Sequence, residues 1–168
     1  MILGTDKDRR TRRGPEMFVV REDTLEGEQT RSLLAMHLTG MHANSPPGSV
    51  FALDVSGLRA PEVTVWTAWR GDLIASIGAL KMLDNLIGEV KSMRTHPAFL
   101  RMGAAAVILE RIIETARSRG TKQLSLETGS GPAFEPALAL YRRRGFVNGE
   151  AFSDYEQNAF SQFLHLSL

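Results

Sequence analysis

Hydrophobic positions along this chain switch between a spacing of two and a spacing of about 3.6, and the switches mark out its elements. Residues 17–21 (MFVVR) form a short β-branched run and predict a first strand. Residues 26–42 set Leu33, Leu34, Met36 and Leu38 among polar neighbours and predict a helix. It has to stop before Ala43-Asn44-Ser45-Pro46-Pro47-Gly48, a loop-forming stretch, and a shorter helical piece is expected over 50–58. Residues 63–69 (VTVWTAW) and 73–80 (LIASIGAL) predict a hairpin turning at Arg70-Gly71-Asp72, and a second reversal over 83–86 leads into a strand at 87–95. Trp66 and Trp69, an odd number of positions apart, face opposite sides of their strand.

The spacing then becomes helical. Val107, Ile108, Ile112, Ile113 and Ala116 predict a helix over 103–118, with Gly120 in the position of a C-terminal cap. A strand follows at 123–128 (QLSLET), then a helix over 134–144 whose Arg142, Arg143 and Arg144 suit the negative end of the helix dipole. Gly145 ends it, and closing strands are expected from Phe146 onward and over 161–168. Consecutive strands followed by a strand-helix-strand-helix unit predict an α/β fold of the α+β kind, with a sheet of mixed direction.

Composition narrows the classes. With 168 residues, of which 43% are hydrophobic, the chain can bury one substantial core, and a single domain over 17–168 is expected. Residues 1–16 hold five Lys/Arg against three Asp/Glu and little to bury, so a flexible basic tail is expected there. The formal charge is +1, which gives no general attraction to nucleic acid or to an anionic membrane. Without cysteine there is no disulfide and no catalytic thiol, which suits a reducing compartment. No run approaches the roughly 18 apolar residues of a spanning helix, and the N-terminus lacks the apolar core of a secretory signal, so a cytoplasmic location is expected. No His/Asp/Glu set has metal-ligand spacing, and no metal is expected.

The chemistry concentrates at residues 89–112, where a strand runs through a short loop into a small-residue helix start. Helix N-termini carry backbone N–H groups without partners and the positive dipole end, so Arg101-Met102-Gly103-Ala104-Ala105-Ala106 can cradle a phosphate or pyrophosphate. From these residues alone, close packing of a small-residue face against the sheet explains the same letters equally well.

Two motifs in order separate these readings. Leu100-Arg101-Met102-Gly103-Ala104-Ala105 resembles the Gln/Arg-x-x-Gly-x-Gly/Ala signature of the GNAT superfamily, with Leu100 in place of its polar first residue. Downstream, Ala137-x-x-Leu140-Tyr141-x-x-x-Gly145-Phe146 resembles that family's second motif, with Phe134 where an asparagine is often found. The segments SMRT at 92–95, LETGS at 126–130, FEPA at 134–137 and Phe152-x-x-Tyr155 are similar to the small bacterial YsnE-type acetyltransferases.

The resemblance implies the GNAT acyl-CoA N-acyltransferase fold: a mixed, mostly antiparallel sheet of six to seven strands, helices on both faces, and a V-shaped splay between the fourth and fifth strands. It implies acetyl-CoA as cosubstrate, its arm held by Met93, Arg94 and Thr95 and its pyrophosphate by Arg101, Met102, Gly103, Ala104, Ala105 and Ala106. The implied reaction is transfer of the acetyl group to a primary amine of a small molecule or amino acid by direct attack. A non-catalytic acyl-CoA-binding or sensory module is the alternative. Such transfer needs a neutral amine and a proton for the leaving thiolate. Tyr141 is the expected acid, a packed aromatic being its ordinary role. Glu89, then Glu127, are the candidates for the base, against ammonium binding, a structural ion pair or a water chain. His42, Asp154 and Tyr155 are expected near the acceptor, with His37 beside His42 on the first helix. By analogy the fold allows a homodimer, though no residue pattern shows one.

Overall fold

The computed structural model describes residues 18–168, so the expected basic tail over 1–16 lies outside the described residues. In chain order the elements are β1 (Val19–Glu22), α1 (Glu28–Asn44), α2 (Val55–Leu58), β2 (Val63–Arg70), β3 (Leu73–Met82), β4 (Ile87–Thr95), α3 (Ala104–Ser118), β5 (Gln123–Thr128), α4 (Glu135–Arg143), β6 (Val147–Asn148) and β7 (Gln162–Ser167). Short 3-10 turns at Pro97–Phe99 and Pro132–Phe134 precede α3 and α4.

The strands form one seven-stranded sheet in the order β1-β2-β3-β4-β5-β7-β6. Every neighbouring pair is antiparallel except β4 and β5, which α3 joins as a crossover. Alternation along the strands sends apolar side chains to both faces. One face meets α3 and α4 through Trp66, Leu80, Val90, Leu124, Leu126 and Leu164, with Ile108, Ile112 and Leu138 packed on them. The other meets α1 and α2 through Val65, Ile77 and Ala79, covered by Leu33, Leu34 and Leu58. Each fully buried Leu or Ile contributes about 1.5–3 kcal/mol of transfer free energy. Trp66 belongs to the first cluster and Trp69 to the second, on opposite faces as their spacing requires. Arg21 lies 4.2 Å above the Trp69 ring.

Several ends differ from expectation for local reasons. The first helix runs on to Asn44, whose side chain donates to the Gly40 carbonyl at 2.7 Å, and the Ser45-Pro46-Pro47 run then stops it. The piece expected over 50–58 is helical only from Val55, because Asp54 caps it by accepting the Gly57 N–H at 2.8 Å. The strand expected from Phe146 is two residues long, since Phe146 itself is buried against Tyr141. Among the described residues no helix is long and apolar enough to cross a membrane.

Candidate active site

β4 carries the feature that opens the sheet. It pairs with β5 only through Ile87–Gln123, Gly88–Leu124 and Glu89–Ser125, and beyond Glu89 the two strands diverge. Its register against β3 shifts between Ile77 and Ala79, opposite Ser92, which sits at φ 56. A non-glycine residue in that region costs about 1–2 kcal/mol, and it turns the rest of β4 away from β5. The His96 N–H donates to the Ala75 carbonyl at 2.8 Å, and Arg94 pairs with Ile77. Backbone alternation therefore aims the Met93 and Thr95 peptide groups into the gap.

Past β4, the His96 ring nitrogen Nδ1 accepts the Ala98 N–H at 3.1 Å and starts the turn that leads to α3. Phe99 is buried against Phe18, Ala75 and Ala104, and the Ser76 hydroxyl donates to the Ala104 carbonyl at 2.8 Å. These contacts pin the helix start to β3. Gly103 adopts φ 85, which favours glycine, and the Val107 N–H closes the first helical bond onto its carbonyl at 3.2 Å. The N–H groups of Ala104, Ala105 and Ala106 thus precede the helical ladder. Arg101, Met102 and Gly103 are exposed beside them, and Leu100 is 58% exposed. A strand edge with free peptide groups, leading to amides at a positive helix end, fits a long polar arm that ends in phosphates.

The gap widens into a cleft enclosing about 810 Å³, open mouth included, whose lining includes Glu89, Met93, Arg94, Glu127 and Tyr141. Glu89 is 3% exposed, and its Oε1 accepts hydrogen bonds from Lys91 Nζ at 3.0 Å and from the Tyr155 phenol. Lys91 also donates to the Tyr155 oxygen at 2.9 Å, closing a triangle. Burial, then the Glu89 charge, holds the Tyr155 phenol well above its ordinary pKa. Phe51 and Phe152 stand edge-on to its ring, at centroid distances of 5.1 and 5.0 Å.

Glu127, on the neighbouring strand, has no such cation bonded to it. Burial pushes its carboxyl up to about 6, and the nearby Glu89 charge adds to the rise. Lys91 opposes the rise, as does Ser161, whose hydroxyl lies near without closing a hydrogen bond of acceptable geometry. Tyr141 is 6% exposed, and burial raises its phenol well above the ordinary value, so it is fully protonated at neutral pH.

The cleft thus gathers Glu89, Glu127, Tyr141, Met93 and Arg94, and Tyr155 reaches it through Glu89. His42 and Asp154 are exposed and do not line it. The histidine that does is His37, at 7% exposure, with no partner for Nδ1. Its position was readable: it follows Leu33 and Leu34 at helical spacing, on the buried stripe of α1. Lys91, which sequence reading passed over, shares a strand face with Glu89 by the same kind of parity. Among the described residues no group of three or more His, Cys, Asp or Glu is placed to hold a metal.

A mixed sheet opened between a parallel pair, with a small-residue helix start at its mouth, is the architecture of the acyl-CoA N-acyltransferase fold. Residues 29–146 match the acetyltransferase (GNAT) family, and the chain belongs to it. It is 49% identical over 145 residues to the uncharacterized N-acetyltransferase YsnE of Bacillus subtilis, covering 86% of this chain and 96% of that protein. To the uncharacterized N-acetyltransferase YedL of Escherichia coli it is 46% identical over 152 residues, covering 90% and 96%. An IAA acetyltransferase of Azospirillum brasilense is 29% identical over 157 residues, covering 92% and 99%. Among solved structures, an acyl-CoA N-acyltransferase from Klebsiella pneumoniae superposes with a TM-score of 0.78 at 22% identity, covering 92% of this chain and 99% of that one. A Bacillus subtilis acetyltransferase in complex with CoA superposes at 0.65 and 18% identity, covering 90% and 99%. The protein is an N-acetyltransferase of this family, and its fold is one that binds CoA.

Proposed function

We propose that the protein acetylates a primary amine of a small molecule or amino acid by direct attack on acetyl-CoA, with Glu127 as proton acceptor and Tyr141 as proton donor. The observation that carries this reading is the opening beyond Glu89–Ser125, with a carboxyl pushed up to about 6 and a protonated phenol on the walls of one cleft. When bound, acetyl-CoA supplies an acetyl group activated as a thioester. The Met93 and Thr95 peptide groups hold its arm, and the amides of residues 101–106 hold its phosphates. Glu127 takes a proton from the incoming ammonium, so the free amine forms the new C–N bond. Tyr141 gives its proton to the sulfur as the C–S bond breaks, and the proton that the nitrogen sheds on becoming an amide restores the phenol. Glu89, already engaged by Lys91 and Tyr155, serves this reaction by fixing the Tyr155 wall of the acceptor chamber.

The test is release of free CoA from acetyl-CoA in the presence of a panel of amines, with the N-acetyl product identified by mass spectrometry. Turnover with at least one amine is expected. Tight acetyl-CoA binding without turnover on any amine would make the protein a binding module instead.

A further inference from the structure

The acceptor half of the cleft contains one charge that the reaction as described leaves unused. Glu89 is neutralised by Lys91, and Glu127 is reserved for the ammonium. Arg94, half-buried on β4, lines the same cleft and forms no ion pair with any described residue. Its guanidinium is packed against the backbone of α1: a Cβ at Gly40 would lie 2.9 Å from Nη1. That contact places it on the α1 face of the sheet, opposite the face that carries α3 and its amides. It therefore stands apart from the phosphate cradle. Beside it His37, buried and with Nδ1 unpartnered, also lines the cleft. Burial and the Arg94 charge lower the His37 pKa to about 4, so at neutral pH the ring offers one N–H and one lone pair.

A partly desolvated guanidinium is stabilised by an anion that matches its planar fork, and a carboxylate does so with two parallel hydrogen bonds. We propose that the acceptor is an amine that also bears a free carboxylate, an amino acid in chemical class, and that Arg94, with His37 beside it, reads that carboxylate. Resting on the N-acetyltransferase reading above, this assigns the amine end of the acceptor to Glu127 and the acid end to Arg94. An amine without the anion leaves the guanidinium unpaired when it is bound, and so binds poorly.

The experiment compares L-amino acids with the corresponding α-carboxamides, which keep the amine and the size but remove the charge. The wild-type enzyme is expected to favour the acids by about tenfold or more in kcat/KM. Arg94→Gln should erase that preference, with the loss appearing as a raised KM for the acids and not for the carboxamides. Gly40→Ala, which displaces the guanidinium without removing it, should give a smaller shift in the same direction. Equal use of acids and carboxamides by the wild type overturns the inference, as does an Arg94→Gln enzyme that loses both alike or loses CoA affinity. Calorimetry of the same L-amino acids against the CoA-loaded protein separates this from the reaction itself. Arg94-dependent binding without turnover sustains the carboxylate site and sinks the transferase reading. Absence of any amino-acid binding, with carboxamides turned over, does the reverse.

Discussion

The two halves of the cleft are built from different materials. On the proposed cofactor side the groups offered to a ligand are backbone: the turned-out edge of β4 after Ser92, and the amides that follow Gly103. On the proposed acceptor side they are side chains brought from α1, β4, β5 and the 149–161 loop, tied by charge and aromatic contacts. A backbone site depends on conformation and tolerates most changes of letter, so it serves every member of a family that uses one cosubstrate. A side-chain site changes its ligand with a few substitutions.

Four substitutions break or sharpen that contrast. Lys91→Met removes the cation from a carboxylate buried to 3% exposure, and urea unfolding should show a loss of about 3–5 kcal/mol, the cost of an orphaned buried charge. A cost under about 1 kcal/mol would mean that charge does not hold the acceptor wall together. Glu127→Gln should lower kcat about 100-fold. In the wild type, activity should fall as pH drops through about 6, because the protonated carboxyl cannot take the amine's proton, and the variant should lack that limb. The same raised carboxyl is a stability cost: it favours the folded state below the ordinary carboxyl range and loses that contribution as pH rises through about 6. Above pH 6 the Gln variant should therefore be more stable by about 1 kcal/mol, after allowance for solvent screening.

Tyr141→Phe should lower kcat about tenfold or more with CoA affinity unchanged, the size of effect that a positioned acid contributes. A rate equal to wild type at every pH removes Tyr141 from the chemistry. The smallest effect is expected from Gly103→Ala, which forces φ 85 on an alanine and strains the cradle by about 1 kcal/mol. That is roughly fivefold in CoA Kd. Acceptor KM should not move, and if it does the two halves are not independent.

The same contrast explains what was legible beforehand. Residues 89–112 form one continuous strand-loop-helix segment, so Gly103 and the alanines after it displayed a conformational demand in consecutive letters. The strands and long helices followed from spacing, and the sheet opened where resemblance to the family placed the opening. The acceptor wall was not local. Tyr155 meets Glu89 across a separation of 66 residues, and no spacing rule reports such a meeting. Within α1 the signal existed, since the Leu33–Leu34–His37 stripe marks His37 rather than His42 as the inward residue. The resemblance implies an arm contact for Arg94 together with Met93 and Thr95. Strand parity separates it from them, sending its side chain toward α1 while their peptide groups face the gap.

Parting of β4 from β5 leaves a bare strand edge in the middle of the sheet rather than at its rim. Rim strands exchange their amide hydrogens readily, and central strands ordinarily do not. In this protein the Met93 and Thr95 amides should exchange with solvent like rim residues while the strand around them stays protected. Filling the gap should then slow their exchange, so that two amides in the centre of the sheet report occupancy of the cofactor site without any measurement of catalysis.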